Sequence, residues 1–259
     1  MEIHKPKPVH GWREFLAEIG IVVIGVLIAL SAEQLAEWIH WRHKVAELRG
    51  SMAVELAEDD GPQAYYRLAT RKCTDDRLDQ IQRAAEAGVS RIEVAKLARA
   101  YPITDRTWEM DSWRAFLAAD GPAHASSDEA YRWSGDFSPI PQLDRIGQDE
   151  REAVAELHAI RPSDGRMTPS ELQSLAKAAE RLRSENNWMV NYSAALLGYM
   201  TDPRQEGVLA PLDIPASRRL TAKLVKRLGL EGCVETPDLS IAGLSALAWM
   251  SDARSVAPR

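Results

Sequence analysis

The sequence predicts an all-α protein in which one N-terminal transmembrane helix continues into a helical, bundle-like soluble domain. Three observations predict it. An uncharged apolar run lies close to the N-terminus. Apolar residues recur at helical spacing through most of the rest of the chain. Alternating apolar and polar residues, the mark of a half-buried strand, extend nowhere for more than a few positions.

The apolar run spans residues 19–32, IGIVVIGVLIALSA, in which nine of fourteen residues are Ile, Val or Leu and none is charged. Together these favour insertion by about 4 kcal/mol. Fourteen residues are fewer than the ~20 needed to cross a bilayer. Phe15, Leu16 and Ala17 extend the run on one side, and Leu35, Ala36 and Ile39 on the other, for a predicted span over 15–41. Glu18, Glu33 and Glu37 lie toward the ends, within reach of headgroups or water. Trp12 marks one edge, and Trp38 and Trp41 the other. The rise from Trp12 to Trp38 is about 39 Å at ~1.5 Å per residue, which fits a bilayer with its interfacial layers and makes these residues two aromatic belts. Ala29, Leu30 and Ser31 also read as a signal-peptide cleavage site. The helical pattern runs through them unbroken, which favours a retained anchor.

Gly25, Ala29, Ala32 and Ala36 fall on one face of the span. Small residues allow close backbone approach between helices in lipid, so this face is the candidate for packing against a second copy or another membrane helix. Lys5, Lys7 and Arg13 precede the span, and Arg42, Lys44 and Arg49 follow it, so charge counting is balanced. A short tail over 1–14 is readily left in the cytoplasm. The expected topology is therefore a cytoplasmic tail, a single span, and a soluble domain over 42–259 in the periplasm of a bacterium.

The stretch EIGIVVIGVLIALSAEQLAEW, residues 18–38, followed by a long charged helix, resembles a family of uncharacterised bacterial single-pass membrane-anchored proteins known as a domain of unknown function. The likeness covers about the first 60 residues. Residues 107–121, TWEMDSWRAFLAADG, are similar to that family's Trp-containing segment. Members typically carry Asn where this chain has Glu33 and Glu37. The resemblance implies a membrane anchor in the bacterial inner membrane, and it implies no activity.

The 259 residues carry 32 basic and 38 acidic side chains, a net charge of −6. With no basic excess to neutralise phosphates, nucleic acid is not an expected partner. The first helix is expected to run to about Asp60, where Gly61-Pro62 predicts a break or kink. A second helix over 63–87 has Leu68, Leu78, Ile81 and Ala85 as its apolar face, with Gly88 as its cap. A short helix follows over 91–100, with Ile92, Ala95, Leu97 and Ala98 inward. Trp108, Phe116 and Leu117 share a face of the next. Ser126 and Glu129 form a capping box, and Pro139 and Pro141 interrupt the region after it. A helix over 142–160 carries Leu143, Ile146, Ala153, Leu157 and Ile160. Thr168-Pro169-Ser170-Glu171 is the clearest start signal, opening a helix to about Met200 whose core face includes Leu172, Leu175, Ala179, Leu182, Trp188, Met189 and Tyr192. A loop with Pro203, Pro211 and Pro215 leads to a basic amphipathic helix over 217–228. The tail over 241–250 is apolar enough to pack and too short to span.

Cys73 and Cys233 form no metal-binding spacing, and in an oxidising compartment they are candidates for a disulfide. Glu37, His40, His43 and Glu47 lie near one helix face, but no second E-x-x-H completes a di-iron set, so no metal is expected. Asp111, Asp120, Asp128 and Asp136 lie near Trp108, Trp113 and Trp133. A Trp core under a polar surface is the preferred reading over a sugar cleft. Arg218, Arg219, Lys223, Lys226 and Arg227 read as a solvated helix face. No nucleophile elbow, phosphate loop or zinc motif occurs, so no cofactor and no enzymatic activity are expected. The expected function is an accessory or scaffold subunit that binds lipid through its span and another membrane or periplasmic protein through its span or domain. The alternative is a periplasmic sensor or small-ligand-binding domain.

Overall fold

The computed structural model describes residues 11–102, 107–201 and 211–247, and these are mainly helical with no strand among them. The expected tail residues Lys5 and Lys7, the loop residue Pro203 and positions 248–250 lie outside the described residues. The chain divides into two compact units, the first ending at Glu47 and the second beginning at Leu48.

The first unit is occupied by α1 (Trp12–Val54), which enters the second unit at Leu48. From residue 12 to residue 40 it has no buried side chain. Ile21, Ile24 and Ile28 are 72%, 58% and 65% exposed, part of an apolar surface left open among the described residues. This helix is long and apolar enough to cross a membrane. Within its apolar stretch the Ser31 hydroxyl donates back to the Leu27 carbonyl at 2.7 Å, which satisfies the group without leaving the helix.

In the second unit, the end of α1 buries Leu48 and Met52, and the next turn buries Leu56. At Gly61-Pro62, where a break or kink is expected, the helix is not broken but changes its winding. Residues Glu55–Asp60 form a π-helical turn and α2 (Gly61–Glu86) continues directly from it. Pro62 has no N–H and its ring would collide with the carbonyl four residues back in an α-helix. The wider π turn relieves that collision, and the Gly61 N–H donates five residues back, to Leu56. Gly61 is there for space rather than flexibility. A Cβ would lie 2.7 Å from Leu212 Cδ1 and 2.8 Å from Met200 Cε.

Gly88 closes α2 as expected, at φ +71°. The Gly88 N–H donates to Ala85, and the Val89 N–H to Ala84, the paired bonds of a Schellman cap. Helix α3 (Arg91–Arg99) is capped by Ser90. It buries Val94, Ala95 and Ala98, while Ile92 faces out at 46% exposure, so its inward face is rotated from the expected one. Helix α4 (Asp111–Ala118) buries Trp113 and Phe116. Trp108 is buried ahead of that helix and Leu117 is exposed, so the expected common face of these two with Phe116 is replaced by the Trp113–Phe116 pair. After the single turn α5 (Gly121–His124), the Ser126 and Glu129 box opens α6 (Ser127–Phe137). Ring stacking joins the two elements: Trp113 lies 5.5 Å from Phe137, and Phe116 meets Trp133 edge-on at 5.2 Å.

Helix α7 (Ile140–His158) buries Leu143, Ile146, Ala153 and Leu157. Thr168 and Glu171 box the start of α8 (Pro169–Thr201), through bonds of 2.9 and 3.4 Å. Trp188 is a correction. It stands 37% exposed and tilts against Tyr192, because the inward stripe of α8 passes through Leu182, Asn186 and Met189. Helix α9 (Ile214–Leu228) begins three residues before the expected start, with Asp213 as its cap and Pro215 inside its first turn. Pro at that position lacks only an N–H that no helical carbonyl would accept. Helix α2 packs along α8 and α9, and α8 packs against α7. One core joins Leu78, Ile81, Val94, Val154, Leu157 and Leu182 from four helices.

Candidate functional site

Three features carry chemistry: the open face of α1, a staple with a cleft beside it, and a pair of buried carboxyl groups.

Gly25, Ala29, Ala32 and Ala36 are all exposed on α1, and a Cβ at Gly25 would meet nothing within 4 Å. Trp12 and Trp38 are 73% and 54% exposed. The Arg42 guanidinium lies 4.7 Å over the Trp38 ring, a cation–π contact. Trp41 is half-buried and meets the His40 ring edge-on at 6.0 Å. Glu47 pairs with Lys44 at 3.2 Å. Among the described residues, no three of His, Cys, Asp and Glu come together as a metal site.

Cys73 on α2 and Cys233 are joined by a disulfide, their Cα atoms 5.0 Å apart. The bond holds residues 231–236 against α2, and the Glu235 N–H donates to the Ala69 carbonyl at 2.9 Å. Arg71 reaches Glu235 at 3.7 Å. Tyr66, Cys73, Val225 and Leu230 form a small core under this staple. Between α2, α9 and residues 231–236 lies an open cleft of about 320 Å³. Tyr65 and Ala69 line it from α2, Arg218 and Thr221 from α9, and Glu231 and Val234 from the stapled segment. Arg218 Nε donates weakly to the Tyr65 hydroxyl, at 3.4 Å. The basic residues of α9 are all exposed, as expected of a solvated face, but Arg218 also borders the cleft. Nothing in the local sequence marks this cleft, because it exists only when Cys233 is brought back to Cys73 across 160 residues.

Asp111, Asp120 and Asp128 are exposed, whereas Trp108, Trp113 and Trp133 are packed in the core. Asp136 and Asp60 are different: both are 2% exposed or less. Burial pushes Asp60 up to about 8, opposed by the hydrogen bond from the Glu109 N–H and reinforced by Glu55, Asp59 and Glu109, all acidic. Burial pushes Asp136 up to about 7, with Arg132 pulling the other way. Sequence reading missed Asp60, although an acid four residues after Leu56 at helical spacing was a readable oddity.

These two groups set a pH dependence. Their folded pKa values lie above the unfolded one, so the native state binds more protons between the two. The stability they support is complete below about pH 4 and declines as pH rises, to about 8 for Asp60 and about 7 for Asp136. The urea midpoint of the intact chain in detergent is expected to be higher at about pH 5.5 than at about pH 9. The double variant Asp60→Asn, Asp136→Asn should flatten that slope. An unchanged slope would place the pH dependence elsewhere.

No protein-family model, curated protein or solved structure matches the chain.

Proposed function

We propose that the protein is a non-enzymatic accessory or scaffold subunit of the bacterial inner membrane, anchored by α1, with its helical domain on the periplasmic side. The observation that carries the reading is the uncovered apolar surface of α1 from residue 12 to residue 40. Burying such a surface in lipid is the arrangement water would otherwise oppose, at about 25 cal/mol per Å². The disulfide supports an oxidising compartment for the domain, because a bridge of this kind persists outside the cytoplasm and is reduced within it. The open face at Gly25, Ala29, Ala32 and Ala36 supports association in the membrane, with a second copy or another protein's helix.

Gentle detergent extraction followed by native mass measurement tests the reading. A stoichiometric partner or a homodimer is expected, and the paired substitutions Gly25→Leu and Ala32→Leu should lose it while the chain still inserts. A lone monomer in both forms would overturn the accessory role.

A further inference from the structure

We propose that the cleft between α2, α9 and residues 231–236 binds a free apolar α-amino acid, gripping its carboxylate at Arg218 and its ammonium at Glu231. The inference goes beyond the scaffold reading and stands on the cleft's own chemistry. Arg218 brings a permanent positive charge to the rim, beside the Tyr65 hydroxyl at 3.4 Å. Among the described residues it faces no carboxylate within ion-pair distance. Thr221 is 4% exposed, lines the same cleft, and its Oγ1 has no hydrogen-bond partner among the described residues. A buried hydroxyl left unpaired costs free energy, which marks this wall of the cleft as polar beneath its surface. Guanidinium and phenol together form a donor set suited to a carboxylate.

The stapled segment carries the opposite charge. Glu235 is held by Arg71 at 3.7 Å, which leaves Glu231 as the cleft's carboxylate without an ion pair among the described residues. Opposite charges on two elements of one cleft fit a small molecule that itself bears both signs. Between them the lining is apolar, with Ala69, Val225 and Val234. That surface suits an aliphatic side chain. The volume of about 320 Å³ lies at the small end of ligand sites, which run from ~300 to ~1,000 Å³, and so fits one amino acid better than a peptide. The disulfide fixes one wall of the cleft to α2, so the site is formed before the ligand arrives.

Calorimetric titration of the intact, oxidised chain in detergent tests the assignment, with L-leucine, L-valine, L-methionine and L-alanine as probes. At least one is expected to bind saturably. Its decarboxylated amine and its deaminated acid, 3-methylbutylamine and 4-methylpentanoate for leucine, should each bind about tenfold more weakly or worse. Arg218→Gln and Glu231→Gln sit on the surface, so the fold should survive, and each should weaken binding by a similar factor. Circular dichroism confirms that each variant is folded. No saturable binding by any of the four probes up to about 10 mM would overturn the proposal, as would equal binding of leucine and its two truncated analogues. Neither result touches the accessory role, which is read from the membrane complex.

Discussion

Removing the Cys73–Cys233 bond is expected to cost the helical domain about 5 kcal/mol. The bond closes a loop of 160 residues, and the chain-entropy relation gives about that value for a loop so long. The cost falls on the unfolded state, which gains freedom when the link is cut, and locally on the native state. Cys233 carries residues 231–236 against α2, and the small core of Tyr66, Val225 and Leu230 sits beneath it. A domain of this size loses roughly 2–4 °C of Tm for each kcal/mol, so the double variant Cys73→Ser, Cys233→Ser should melt about 10–20 °C below the parent. Reductant added to the parent should give the same shift, and reductant added to the variant should give none. A parent that melts unchanged after both thiols are shown free by mass would overturn the expectation. In that case the α2–α9 packing alone would be holding the segment in place.

Much of the architecture was legible in the sequence because its signals are local. The capping boxes at Ser126 and Glu129 and at Thr168 and Glu171 need residues only three apart, and the helix dictates their geometry. The Schellman cap at Gly88 and the apolar stripes of α2, α7 and α8 are local in the same sense. Where the reading failed, the deciding contact was distant or depended on fine helical phase. Gly61-Pro62 usually ends a helix, and here a π turn absorbs the proline while Leu212 and Met200 pack against the glycine. Trp188 is apolar, yet the stripe of α8 passes one position away from it. Glu55 accepts from the Ser112 N–H and hydroxyl at 3.0 and 2.9 Å, which joins the π turn to the start of α4 across 57 residues. No local pattern could announce that pairing. The cleft was illegible for the same reason, since its lining comes from three segments that only the staple brings together. Two signals were readable and passed over. Ser90 stands three residues before Glu93 as a third capping pair, and its hydroxyl does accept from the Glu93 N–H. The other is a charge at a core position in each of two helices. On α2, Arg67 follows Gln63 and precedes Leu78 on the inward face; on α7, Glu150 falls between Ile146 and Ala153. Opposite charges in two core stripes predict each other.

That pair is the second large effect. The Arg67 guanidinium meets the Glu150 carboxylate in a two-pronged contact, Nη1 to Oε1 at 2.8 Å and Nη2 to Oε2 at 2.7 Å. Glu150 is 2% exposed and Arg67 is 8% exposed. Burial works against the arginine's charge, and Glu150 outweighs it, so the guanidinium is held above its ordinary range. Burial also lifts the neighbouring Tyr101 well above the usual phenol range, with the Glu150 charge adding to it, so its hydroxyl stays protonated and accepts from Asn186 Nδ2 at 2.9 Å. Breaking such a pair strands a charge that nothing else in the core can neutralise. Glu150→Gln is therefore expected to destabilise the domain by about 3–5 kcal/mol, read as a lower urea midpoint for the intact chain in detergent. Removing both partners is a different matter, because the desolvation cost of two charges goes with them. Arg67→Met combined with Glu150→Leu should recover more than half of the single-variant loss, since apolar replacements of similar volume often match or exceed a buried ion pair. The single variants Arg67→Met and Glu150→Leu form a cycle with that double, and the coupling energy should be at least about 1.5 kcal/mol. Additive losses would mean that the two side chains contribute separately, by packing alone, and that the charge pair is not what joins α2 to α7. Strong coupling with recovery would assign the pair to specificity, setting the register of those helices at some cost in stability.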